Sequence, residues 1–180
     1  MEGELRMISN SQTYRWLAVG LLCLLAAGLV VAFVVVRSFV KAATCRSKLM
    51  ALKFNMTIYR SDHQGHWPSN LVSVAAATFQ ADVTNEVVLD RLSCPAAGHY
   101  FQGSTDVISD ADYVYINWEA FFGTNAPPPD YPLFYDRRLS NHKGIGVNVV
   151  TAASCFWDYH ARFLTNFAGA HPNYHLPMPE

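Results

Sequence analysis

The apolar positions of the chain change period twice. From Trp16 to Val36 the sequence reads "WLAVGLLCLLAAGLVVAFVVV", without one charged residue, and about 20 such residues in a helix cover the hydrocarbon core of a bilayer. The pattern predicts a short tail over 1–15 and a membrane-spanning helix over 16–36. Charges and helix formers resume at once in "RSFVKAATCRS", with no small-x-small cleavage site, so the segment reads as an uncleaved anchor. Trp16 suits the lipid interface, and Gly28 with Ala32 forms a small-xxx-small pair. Beyond the span, Cys45, Leu49, Leu52, Met56 and Tyr59 fall at alternating spacings of four and three, which is one stripe of a helix. No Pro or Gly intervenes between Gly28 and Gly65, so the same helix is expected to continue over 37–66, with Gly65 as its stop and Pro68 beyond.

Two further helical segments are expected, "SNLVSVAAATF" with a Ser/Asn cap and "TNEVVLDRL". The period then falls to 2. "DYVYINWE" sets Val114, Ile116 and Trp118 against Tyr113, Tyr115 and Asn117, and reads as a strand with two usable faces. "PLFYD" is a shorter strand, and "GVNVVT" and "SCFWDYH" are two more, joined tightly around Ala152 and Ala153. A long helix, short helices and then a small antiparallel sheet define an α+β chain, with residues 67–180 as one globular domain.

Charge narrows the partners. The net charge is -1 over 180 residues, and the only basic cluster is Arg37, Lys41, Arg46, Lys48 and Lys53 beside the span. That excludes a nucleic-acid surface and suits lipid headgroups, so membrane lipid is the expected partner. Only Arg6 and Arg15 precede the span, so the positive-inside rule alone favours a cytoplasmic C-terminal domain. The cysteine, Tyr, Trp and Pro content of that domain leans the other way.

Candidate chemistry is sparse. "NHKGIG" places His142 near Ser140 and Asp136, the residue types of a nucleophilic relay, yet these types coincide in many chains without forming one. The expectation is a structural loop of Asn141, His142, Gly144 and Gly146. In it the imidazole bonds loop backbone, the glycines allow close approach to the next strand, and no residue is catalytic. His63 and His66 flank a helix-breaking Gly65 and do not read as a metal pair. Asp106, Asp110 and Asp112 in "DVISDAD" are weak calcium candidates without EF-hand order, a solvated acidic loop being the commoner outcome; no other cofactor is expected. Asn55 in "NMT" matches a glycosylation sequon within a predicted helix. Cys23 lies in the span, and Cys45, Cys94 and Cys155 allow one disulfide and one thiol, with the pairing open.

Three stretches together carry a family resemblance. "CRSKLMALKFNMTIYRSDHQGHWP" presents Cys45, Leu49, Tyr59, Asp62, Gly65, Trp67 and Pro68 in order; "LSCP" at Cys94 and Pro95 precedes "DYVYIN"; and Asn141, His142, Gly144 and Gly146 precede "VNVVTAAS". In this the chain resembles the pilin-like, or pseudopilin-like, membrane proteins related to type II secretion and type IV pilus subunits, particularly those with a His then Asp-Gly signature in the last hairpin. The resemblance implies a non-enzymatic subunit or accessory of a secretion or pilus-like assembly, packing through its long N-terminal helix with copies of itself or with other subunits. It also implies a Cys45–Cys94 disulfide, and a place in a bacterial inner membrane with the N-terminal tail in the cytoplasm and the domain outside. The chain departs from the pattern in lacking a Gly-Phe processing site and the glutamate just inside the apolar segment, and in having Ala152-Ala153 or Ala153-Ser154 where Asp-Gly is usual. These departures imply an uncleaved N-terminus. They leave a second role open, that of a monomeric tethered binding domain.

Overall fold

The computed structural model describes residues 2–77, 90–97 and 111–180, with side chains described from Tyr14 onward. Helix α1 runs from Glu2 to Asp62. The chain divides into two compact units, Met1–Phe39 and Val40–Glu180. In the first, the apolar side chains are exposed all round the helix, Leu17, Leu24 and Phe33 among them. The helix is long and apolar enough to cross a membrane.

In the second unit the last turns of α1 are one-sided. Cys45, Leu49, Leu52 and Met56 are buried, Tyr59 half-buried, while Met50 and Phe54 on the other side are exposed. The helix ends at Asp62, four residues before the end expected from the sequence. There Gly65, at φ +88°, donates its amide to the Arg60 carbonyl at 2.7 Å, closing the end with a left-handed glycine. Helix α2 (Leu71–Ala76) starts where the Asn70 side chain accepts the Ser73 amide at 2.9 Å. Of the predicted "TNEVVLDRL" helix only 90–92 are described, and they are helical; the rest lies outside the described residues.

Strands β1 (Tyr113–Tyr115), β2 (Pro132–Asp136), β3 (Gly146–Thr151) and β4 (Cys155–Tyr159) form one antiparallel sheet in the order β1-β2-β3-β4. The fold is thus α+β. β2 and β3 are buried along their full length, so both faces of the central pair are covered.

Three departures from the sequence pattern have local causes. β1 stops at Tyr115 instead of continuing through Trp118, because the Asn117 side chain accepts the Glu119 amide at 2.8 Å and turns the chain into helix α3 (Glu119–Phe122). Trp118 then points inward, fully buried, its indole N–H donating to the Pro132 carbonyl at 2.8 Å. The β3–β4 turn uses no positive φ at Ala152 or Ala153. Instead the Thr151 hydroxyl accepts the Ser154 amide at 3.0 Å, and Lys53 of α1 donates to the Ala152 carbonyl at 2.7 Å. A side-chain cap therefore does here what Asp-Gly does in a hairpin with positive φ.

The third departure is helix α4 (Arg162–Ala170), which the strand-like reading of the C-terminal part did not include. Asp158 at the end of β4 caps it, its two carboxylate oxygens accepting the Phe163 and Leu164 amides at 2.9 and 3.2 Å. Its buried Leu164 and Phe167 reach the core, where Trp118, Tyr131, Phe167 and Tyr174 meet edge to face. One hydrophobic cluster contains this group, the α1 stripe and the inner positions of the sheet.

Gly144 and Gly146 have different physical roles. A Cβ on Gly146 would lie 2.5 Å from the Asp158 carbonyl oxygen and 2.9 Å from the Trp157 indole, whereas Gly144 has φ +72° with open space around it. Gly146→Ala is expected to cost about 1–3 kcal/mol by overpacking. Gly144→Ala is expected to cost about 1–2 kcal/mol by left-handed strain alone. Urea titrations separate the two causes with Gly144→Asn, which tolerates the left-handed region and should recover part of the loss, and Gly146→Asn, which should recover none.

Candidate functional site

A buried cluster of polar and ionisable groups built by several elements lies where β2 ends. Asp136, the last residue of β2, is fully buried. The chain then makes a 3-10 turn over Leu139–His142, closed by Lys143 in the left-handed region at φ +60°, which brings His142 back over the strand. His142 Nε2 lies 3.0 Å from Asp136 Oδ2. The same oxygen accepts the Asn148 amide at 2.6 Å and the Asn148 side-chain N–H at 2.8 Å, both from β3. The carboxylate thus ties the β2–β3 loop to both strands that it connects.

Two apolar walls enclose the imidazole. Trp157 of β4 meets it edge on, ring centres 5.0 Å apart, through the gap that Gly146 leaves. On another side stands the disulfide between Cys45 of α1 and Cys94, with the Cys94 sulfur 3.9 Å from His142 Nε2. Cys94 is itself placed by Asp112, whose Oδ2 accepts its amide at 2.7 Å. The Tyr113 hydroxyl donates to the Ser93 carbonyl nearby. Burial, followed by the carboxylates of Asp136 and Asp112, pushes it far above the ordinary tyrosine range, so it remains a neutral donor.

The positions singled out in the sequence divide clearly. Cys45, Cys94, Asn141, His142 and Gly146 are all buried, the two cysteines and the histidine in one cluster, while Gly144 is exposed at the tip of the loop. Cys155 is a free thiol, half-buried, with its pKa raised chiefly by burial; a Cys94–Cys155 pairing is excluded by the Cys45–Cys94 bond. The expected backbone partner of His142 is instead the Asp136 carboxylate, because the turn lays the ring over the strand end and not along the loop. Ser140 is exposed, and among the described residues no hydroxyl is hydrogen-bonded to the His142 ring. Asp112 is buried, with Oδ2 accepting the Cys94 amide, instead of lying in a solvated acidic loop; Asp106 and Asp110 lie outside the described residues. Asn55 is buried in α1, its side chain directed to the Ala75 carbonyl, so the sequon is inaccessible.

His63 and His66 are separately engaged. His63 stacks on Tyr59 and bonds that residue's carbonyl at 2.8 Å, while His66 Nδ1 meets Glu119 Oε1 at 2.6 Å. Two residues of the buried site, Asn148 and Trp157, were not singled out in the sequence. Asn148 carried a usable signal as the lone amide in the apolar strand "GVNVVT". Trp157 carried none, since an aromatic residue in a strand is ordinary.

Cutting the crosslink should be costly. The bridge spans 49 residues, and in the chain-entropy account a loop of that length is worth about 4 kcal/mol. Cys45→Ala with Cys94→Ala should lower the urea midpoint accordingly. His142→Ala should cost about 1–3 kcal/mol, since it leaves the Asp136 carboxylate short of a donor in the interior; an unchanged midpoint would refute its structural role. At the surface, the hydrogen bond from His66 holds the Glu119 carboxyl below its usual range. A depressed folded-state pKa stabilises the fold above the unfolded carboxylate value and loses that contribution as pH falls through the folded value. Melting curves of Glu119→Gln should therefore converge with the native protein in acid and lie below it at neutral pH.

Comparison of the chain with known protein families, curated proteins and solved structures finds no match.

Proposed function

We propose that this chain is a non-enzymatic, single-pass membrane protein of pilin-like type, a subunit or accessory of a secretion or pilus-like assembly in a bacterial inner membrane, with its N-terminal tail inside and its domain outside. The observation that carries this reading is α1 itself. One helix is apolar all round over the span and then buries a single stripe in the core of an antiparallel α+β domain. A helix used in this way serves both as a membrane anchor and as part of a domain's core.

The flanking charges by count oppose this orientation, and three of them have partners within the domain. Arg46 donates to the Cys155 carbonyl at 2.6 Å, Lys48 pairs with Asp90 at 2.9 Å, and Lys53 donates to the Ala152 carbonyl. Three of the five basic residues after the span therefore serve the domain's own packing.

A second reading, a monomeric tethered binding domain outside the cytoplasm, is favoured by the absent Gly-Phe site and glutamate. Crosslinking separates the two. Met50→Cys and Phe54→Cys, on the exposed side of α1, should give helix-to-helix adducts in native membranes if the protein assembles. If it is a monomeric tether they should give none. Protease added to intact spheroplasts should remove the domain beyond Arg37; full protection would refute the orientation.

A further inference from the structure

We propose that the Cys45–Cys94 position has a second state. When the disulfide is reduced, the two thiolates and His142 Nε2 bind a thiophilic divalent ion such as zinc, the fourth position being left to solvent.

The donor atoms are already assembled. One sulfur each from Cys45 and Cys94 and one ring nitrogen of His142 lie within 4.8 Å of one another, and all three residues are buried. In tetrahedral zinc coordination, ligand bonds of about 2.3 Å to sulfur and 2.0–2.1 Å to nitrogen separate sulfur from nitrogen by about 3.6 Å. Here the Cys94 sulfur stands 3.9 Å from His142 Nε2, and that nitrogen stands 3.0 Å from Asp136 Oδ2. Parting of the two sulfurs, with His142 Nε2 turned from Asp136 toward them, would open the position for the ion.

The surroundings are those of a supported site. Asn148 donates two hydrogen bonds to Asp136 Oδ2, and Asp112 fixes the Cys94 backbone. Trp157 covers one edge of the imidazole. Asp136 Oδ1 is buried without a hydrogen-bond partner among the described residues. The cysteines are 49 residues apart, far from any zinc-finger spacing. Folding alone brings these ligands together.

The chemistry balances with a named reductant. A phosphine delivers two electrons to the disulfide, which takes two protons to give two thiols, while the phosphine acquires oxygen from water and becomes its oxide. Zinc binding then releases the two thiol protons to solvent, and the neutral imidazole carries its proton on Nδ1, so that Nε2 offers its lone pair. The crosslinked and metal-bound states exclude each other, since the same sulfurs serve both. Either state holds α1 to the segment around Cys94.

The test uses the full chain in detergent, reduced anaerobically with a phosphine and dialysed against zinc. The expected result is one zinc per reduced chain and none per oxidised chain. Cobalt in place of zinc should show charge transfer from two thiolates and the ligand-field bands of four-coordination, a signature that needs no variant. Cys23→Ser with Cys155→Ser should leave both results unchanged. His142→Gln should weaken zinc binding by more than the roughly 100-fold upper range seen for a supporting hydrogen bond. Zinc retained by the oxidised chain, no zinc on the reduced chain, or binding lost with the double serine variant would each overturn the proposal.

Discussion

The domain depends on burying the stripe Cys45, Leu49, Leu52 and Met56 of α1. A helix that leaves a membrane-type apolar segment would continue as a free rod unless something held its next turns. Each fully buried leucine in that stripe is worth about 1.5–3 kcal/mol relative to exposure. The same contact gives the central strands a cover they cannot supply for themselves, since β2 and β3 are buried from end to end. The disulfide at Cys45 and the hydrogen bond from Lys53 to the β3–β4 turn hold α1 at two well-separated points.

A second constraint is electrostatic. A carboxylate as fully buried as Asp136 is tolerable only with donors around it. Its three donors come from the loop before β3 and from β3 itself, so the charge imposes the path of the chain between two strands. Asp112 and Asp158 do the same elsewhere, the first fixing the backbone at Cys94 and the second starting α4. Buried acids in this domain serve as backbone organisers. The Asp136–His142 pair belongs to this set, and it is the arrangement from which a reduced disulfide would offer a metal its ligands.

The basic residues after the apolar segment also take part in packing. Counted along the chain, they form a cluster that opposes an external domain. In the structure Arg46, Lys48 and Lys53 reach carbonyls and a carboxylate of their own domain. These side chains thus also fasten the last turns of α1 to the domain that follows.

The elements defined by periodicity were legible in the sequence. Length and apolarity over 16–36, the four-and-three spacing from Cys45 to Met56, the stop at Gly65 and the strands "PLFYD" and "GVNVVT" all follow from local rules that bind neighbours along the chain. The α+β class follows from their order. What had to wait was whatever depends on which side chain takes which polar group, even across a turn of a few residues. Trp118 leaves its strand because Asn117 turns the backbone and the Pro132 carbonyl takes its indole; α4 begins because Asp158 caps it; and His142 finds Asp136 and not loop backbone. The sequence by itself determined the apolar span, the buried stripe of α1 and the strands β2 and β3, because their periodicity is a short-range property. Only the tertiary structure decided which buried polar groups meet, because a charge in the interior is satisfied by whatever donors the fold brings within about 3 Å of it, regardless of their separation along the chain.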